Sequence, residues 1–321
     1  MFRTSLLATA ALMAAALPAG AGPYSQLVIF GDSLSDVGNA RIGAAVLGLP
    51  DPAPPPFFMG RFSNGPVWAD FVHDALIGGP SLPAAPLIFG LPLPSGQNYA
   101  IGGARAAPNA DPSVDFPGQL GFFGTISGGL ADPDALYVIA FGSNDITANI
   151  QGAVDAPMIA DSVGAIIGGM AALNAAGARH FLVLGVADIG NEPRFAINPA
   201  DAAVGRALSV AFDQATRQAL KATPFAPGTR VTYHNGLRFF DALEADPAAF
   251  GLPPLDGLTP CFTVLAAIPG CAGFAFADDI HPTSAVHLAY ARDILATVPA
   301  PASVALFGLG ALALAGARRR G

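Results

Sequence analysis

Charge is scarce in this chain. Asp, Glu, Lys and Arg together make up 12% of its 321 residues, and the net charge is −8. Both ends are apolar, which lowers the fraction further. No basic stripe appears between them, which argues against nucleic acid as a partner. Cysteine is scarcer still, with only Cys261 and Cys271 present. A metal site would need further ligands, and no nearby histidine or cysteine completes one. In an exported chain the pair reads as a disulfide closing a small loop. There is no internal repeat and no sign of a second domain. The proline-rich stretches 52–56 and 80–94 read as surface loops, because core-like segments continue on either side.

The two ends read as targeting segments. Arg3, the apolar run 6–17 and Ala19-Gly20-Ala21 have the form of a secretory signal over residues 1–21. A buried N-terminal helix is the competing reading, but nothing amphipathic is visible there. At the other end Val298-Pro299-Ala300-Pro301 leads into the uncharged stretch 302–317, and Arg318-Arg319-Arg320 closes it. Such a stretch barely crosses a bilayer, which takes about 20 residues as a helix. Its basic cluster stays on the cytoplasmic side. Residues 298–321 resemble the PEP-CTERM sorting signal of Gram-negative bacteria, with Ala300 where that motif has Glu. The resemblance implies recognition by an exosortase-type sorting protease and delivery to the periplasm, cell surface or extracellular matrix. A plain membrane anchor is the other reading.

Between these ends, residues 22–297 are long enough for one large domain with its own core, about 275 residues. Continuous apolar runs at 26–30, 97–101, 136–141, 179–184 and 229–234 predict strands buried on both faces. Helices are predicted over 157–176 and 201–221, the latter with Asp213 and Arg217 at i,i+4. A last helix is predicted from 282–283 to about 295, with Pro282 in its first turn. Strands alternating with helices give an α/β class, a three-layer α/β/α sandwich on a mostly parallel sheet. Ligands bind such sheets at the carboxyl ends of the strands.

That edge is where the chemistry-bearing residues fall. Gly31-Asp32-Ser33-Leu34-Ser35 follows the first strand directly and presents Ser33 on a tight turn. A serine hydroxyl needs a base before it attacks. Of the five histidines, His73, His180, His234 and His287 lie in or at the ends of regular elements and read as structural. His281 sits in a loop beside Pro282, with Asp278 three residues before it. Asp278 is favoured over Asp279 as its orienting acid, since residues i and i+3 of a turn face each other. Asp279 reads as a helix cap or a solvated charge. A metal site from Asp278, Asp279 and His281 is incomplete. Candidate donors to a developing oxyanion are the Ser33 N–H, a backbone N–H of Gly102-Gly103, and the Asn144 side chain.

The order Gly31-Asp32-Ser33-Leu34, then Asn98-Tyr99-Ala100-Ile101-Gly102-Gly103-Ala104, then Gly142-Ser143-Asn144-Asp145, then Asp278-x-x-His281-Pro-Thr resembles the GDSL lipase/esterase, or SGNH hydrolase, family. Gly60-Arg61-Phe62-Ser63-Asn64-Gly65-Pro66-Val67-Trp68 and Leu184-Gly185-Val186-Ala187-Asp188-Ile189-Gly190 resemble it too. The resemblance implies a flavodoxin-like sandwich that needs no metal or organic cofactor. It implies Ser33 as nucleophile, His281 as base and then acid, and Asp278 as its partner. Ser33, Gly103 (Gly102 as fallback) and Asn144 are implied as the oxyanion hole. The implied activity is hydrolysis of carboxylic esters, with a small-molecule, lipid or glycan ester as substrate. The alternatives are a carbohydrate O-acetylesterase and a catalytically silent surface module. Ala277 stands where relatives often carry an aromatic residue, which implies altered packing around the acid.

Overall fold

Leu27-Val28-Ile29-Phe30-Gly31 is buried at every residue, as expected of a strand covered on both faces. In the computed structural model, which describes residues 24–298 except Pro112 and the stretches 153–157 and 265–269, this strand is β1, Leu27–Gly31. It pairs in parallel with β2, Leu136–Ala140, which pairs with β3, Leu136's register partner being His180 in His180–Leu184. The sheet continues to β4, Arg230–His234. The proposed leader at 1–21 and the tail from 299 onward lie outside the described residues.

The run 97–101 corrects one expectation, for it is not a regular strand. It lies parallel to β1 through Ile29 N–H to Gln97 O (2.9 Å), Tyr99 N–H to Ile29 O (2.7 Å) and Ile101 N–H to Gly31 O (3.1 Å). Its other edge meets the loop at Leu82 and Ala84, bent around the Pro83–Asn98 bridge, instead of a straight partner. Counting it, the spatial order is second, first, third, fourth, fifth, the flavodoxin-like arrangement.

Among the described residues, ten α-helices connect and cover these strands: α1 Asn39–Val46, α2 Trp68–Leu76, α3 Ala85–Ile88, α4 Phe116–Ser127, α5 Ser143–Ile150, α6 Met158–Ala176, α7 Pro193–Ala196, α8 Pro199–Ala222, α9 Gly236–Ala245 and α10 Ser284–Thr297. Because side chains alternate along a strand, the sheet feeds two cores. Val28, Phe30, Tyr137, Ile139 and Phe181 point to one, with Phe116, Met170 and Phe212 from α4, α6 and α8. Leu27, Ile29, Val138 and Leu182 point to the other, with Trp68, Phe239 and Tyr290 from α2, α9 and α10. Helix α6 is long and apolar enough to cross a membrane, but it packs against α4 and α8 as a core helix. Pro282 is not inside the last helix. It precedes the N-cap residue Thr283, whose extended backbone starts α10 at Ser284.

Candidate active site

The serine turn is held from below. Gly31 ends β1 so close to its neighbours that a Cβ there would sit 2.9 Å from Ser35 Oγ and 3.0 Å from Ala140 O. The buried Gln119 side chain of α4 clasps the same peptide. Its Oε1 accepts from Gly31 N–H at 3.0 Å, and its Nε2 donates to Gly31 O at 2.8 Å. Asp32 accepts the Leu34 N–H at 3.0 Å. Burial pushes its carboxyl up to about 7, against the Leu34 N–H and the charge of His281. These contacts leave Ser33 at the carboxyl end of β1, buried but for 7% of its surface.

His281 reaches that serine from 248 residues away, Nε2 to Oγ at 2.9 Å. Its other ring nitrogen, Nδ1, lies 2.7 Å from Asp278 Oδ2. Asp278 Oδ1 accepts the backbone N–H of His281 (2.6 Å) and of Ile280 (3.1 Å). Burial raises this carboxyl, but its bonds to the His281 ring and to these N–H groups outweigh that and hold it below the usual value. The loop is fixed by Ala277 N–H to His281 O (2.7 Å). Ser63 Oγ grips Pro282 O (2.8 Å), and Asn64 Oδ1 accepts Ser284 N–H (2.8 Å). These two contacts explain the stretch from Gly60 to Trp68. Phe62 stacks obliquely on the imidazole at 5.2 Å, and Phe57 meets it edge-on at 6.1 Å.

Asp279 is neither a cap nor a free charge. It pairs with Arg194 through Nε–Oδ2 (2.9 Å) and Nη2–Oδ1 (3.0 Å), and its carbonyl accepts the Arg194 N–H at 2.9 Å. It is therefore turned away from Asp278 and His281, and these three do not converge as ligands. No cluster of three or more His, Cys, Asp or Glu suited to a metal ion occurs among the described residues.

The remaining donors gather at the same edge. Gly102 N–H is committed to Asp36 Oδ2 at 2.9 Å, so the fallback donor is occupied. Gly103 follows at φ +83°, a conformation that glycine adopts without strain. Neither its N–H nor that of Ser33 has a protein acceptor among the described residues. Asn144, in the first turn of α5, donates through Nδ2 to Ala104 O at 2.9 Å, which pins its amide against that glycine turn. The other histidines are occupied elsewhere: His73 Nδ1 with Gly79 O, His234 Nε2 with Asp293, His287 Nδ1 with Trp68 N–H, and His180 against the Tyr24 ring.

Residues 27–294 match the GDSL-like Lipase/Acylhydrolase family. The chain belongs to that family. Residues 297–320 match the PEP-CTERM protein-sorting motif. Esterase EstA of Pseudomonas aeruginosa is 28% identical over 85% of this chain and 46% of its own length. Thermolabile hemolysin of Vibrio parahaemolyticus is 24% identical over 84% and 63%. An uncharacterized protein from the trpE-trpG intergenic region of Pseudomonas putida is 29% identical over 87% and 49%. The chain spans about half to two-thirds of the length of these curated relatives.

Three residues of this GDSL-family site make contacts that a motif reading misses, although Asp145 lies inside one of the family blocks. Asp36 accepts N–H groups from Gly38, Asn39 and Ala40 as well as Gly102, tying α1 and the glycine turn to the serine turn. Burial raises it to about 6, against those four bonds. Asp145 does the same beside Asn144, accepting from Ala106 N–H and Ser162 Oγ. Gln119 is the third. An aspartate just ahead of a helix was a visible cap signal for Asp36. The long-range bonds of all three were not visible.

Proposed function

We propose that this protein is a serine hydrolase of carboxylic esters. The observation that carries the reading is the unbroken line from Asp278 through the His281 ring to Ser33 Oγ, at 2.7 and 2.9 Å. His281 takes the serine proton as Oγ attacks the ester carbonyl, and Asp278 orients the ring and stabilises the imidazolium. The N–H groups of Ser33 and Gly103 and the Asn144 amide receive the charge that builds on the carbonyl oxygen. His281 then protonates the leaving alcohol. Water, deprotonated by His281, attacks the acyl-Ser33 ester, and collapse of the second tetrahedral species frees the acid and restores the serine.

A cavity of about 290 Å³ is lined by Leu34, Ile280 and Pro282, the chain neighbours of Ser33 and His281, and walled largely by apolar side chains such as Phe240 and Leu255; neither Ser33 nor His281 itself lines it. That favours an ester with an apolar arm over the acetyl group of an O-acetylated glycan. Wild-type protein should label with a fluorophosphonate probe and hydrolyse p-nitrophenyl octanoate, while Ser33→Ala does neither. Equal labelling of both would refute the reading. Acetate release from acetylated polysaccharide that outpaces octanoate hydrolysis would move the substrate to the glycan class.

The same proposal places the enzyme outside the cytoplasm, with residues 1–21 removed as a leader and the tail handed to an exosortase-type protease. The Cys261–Cys271 disulfide, Cα atoms 5.5 Å apart, supports an oxidising compartment. Mass spectrometry of the protein recovered from its native host should show a new N-terminus near Gly22 and a C-terminus near Pro299. An intact tail would favour a plain anchor.

A further inference from the structure

Besides Ser143, the polar side chains of the cavity are Asp188, Asn191 and Glu192, just after β3, and Glu244 of α9. Three are already engaged. Asp188 accepts Gly190 N–H (2.9 Å) and pairs with Arg206 (3.2 Å). Asn191 Nδ2 donates to Glu244 Oε2 at 2.6 Å. Glu192 differs. Its side chain makes no hydrogen bond or salt bridge with a described residue, and its Oε2 is shielded from solvent. The adjoining guanidinium, Arg194, is spent on Asp279.

The backbone keeps Glu192 in place. Its N–H donates to Ile189 O (3.3 Å), and its carbonyl accepts the N–H groups of Phe195 and Ala196 (2.9 Å each). Pro193 follows at the first turn of α7. Glu192 is half-buried as a residue, and its one shielded oxygen, Oε2, is left without a partner, which is costly. A substrate that supplies the partner gains that cost back as selectivity.

We infer that Glu192 is a specificity-determining residue, whose carboxyl hydrogen-bonds a neutral hydroxyl carried by the otherwise apolar arm of the ester. This rests on the ester-hydrolase reading of Ser33. Burial, more than any neighbour, drives Glu192 well above the usual carboxylate range, with Arg194 opposing and Asp278, Asp32 and Asp279 adding to the rise. The protonated acid both donates and accepts, as a hydroxyl does. An anionic head would face Asp32, Asp278 and Asp279. A cationic head would require Glu192 to ionise, and both ions would lose their hydration in the cavity. A bare alkyl arm would leave the carboxyl unpartnered.

The test is direct binding to Ser33→Ala, which separates it from turnover. Titration calorimetry with 1-octanol, octanoate and octylammonium compares three heads on one apolar body. 1-Octanol should bind tightest. Adding Glu192→Leu should weaken it about tenfold, while the isosteric Glu192→Gln, which still donates and accepts, stays within about threefold. Undiminished octanol binding in Glu192→Leu, no octanol binding at all, or tighter binding of octylammonium or octanoate would overturn the inference. Failure of Ser33 to label would instead overturn the hydrolase reading and leave this binding result standing.

Discussion

Under the proposed mechanism, single side chains at this site divide into those that meet the ester and those that hold them. Asn144 belongs to the first group. Asn144→Ala should lower kcat by about 10²- to 10³-fold with little change in KM, because its amide matters chiefly once charge has moved to oxygen. Gln119 belongs to the second. Gln119→Leu strips two bonds from a buried peptide and should cost about 2–4 kcal/mol, read from the denaturant midpoint. The first group and the acid that orients its histidine were legible in the sequence, since Ser33, Asn144, His281 and Asp278 each sit in a short pattern with a chemical reason. The second was not, because its partners are remote. Gln119 grips a residue 88 positions away, and Asp36 one 66 positions away. No local pattern announces such a bond.

At the scale of elements, the acid–base loop is stitched to its surroundings twice. Arg194 of α7 binds Asp279 with three hydrogen bonds across 85 residues. Both side chains are partly exposed, 33% and 47%, so the pair adds only about 0–1 kcal/mol to stability. Its effect falls on position instead. Arg194→Ala should cut kcat about tenfold with the melting temperature nearly unchanged, and the reversed pair Arg194→Asp with Asp279→Arg should recover part of it. Recovery in the reversed pair would not follow from lost packing. The second stitch is the segment at Cys261, whose N–H binds Phe276 O (3.0 Å) while Phe262 N–H binds Ala277 O (2.8 Å). Phe262 also packs on Phe57 at 5.1 Å. Replacing both cysteines by serine should cost roughly 2–3 kcal/mol for a loop of this size, measured by thermal unfolding. Strands and long helices were legible because apolar runs mark them. Residues 97–101 were apolar enough to read as a strand, yet one edge meets a bent loop instead of a straight partner, and no run of residues encodes that.

Across the whole molecule, buried acids set how stability depends on pH. The carboxyls of Asp32 and Asp36 lie near 7 and 6 in the fold, against 3.8 for a free aspartate. The folded state therefore holds more protons than the unfolded chain between these values. Stability from this source is greatest below about pH 4 and declines as pH rises through 6 and 7. Asp32→Asn should flatten the fall of melting temperature across that window, and an unchanged slope would contradict the assignment. The separation of Ser33 from His281, 248 positions along the chain, has a further consequence in time. A ribosome makes Ser33, the proposed nucleophile, 248 residues before His281, its proposed base. A nascent chain, or any fragment that stops short of α10's threshold, carries the serine but has nothing to deprotonate it. On the proposed function, the cell that makes this protein is spared ester cleavage until almost the entire domain has been synthesised.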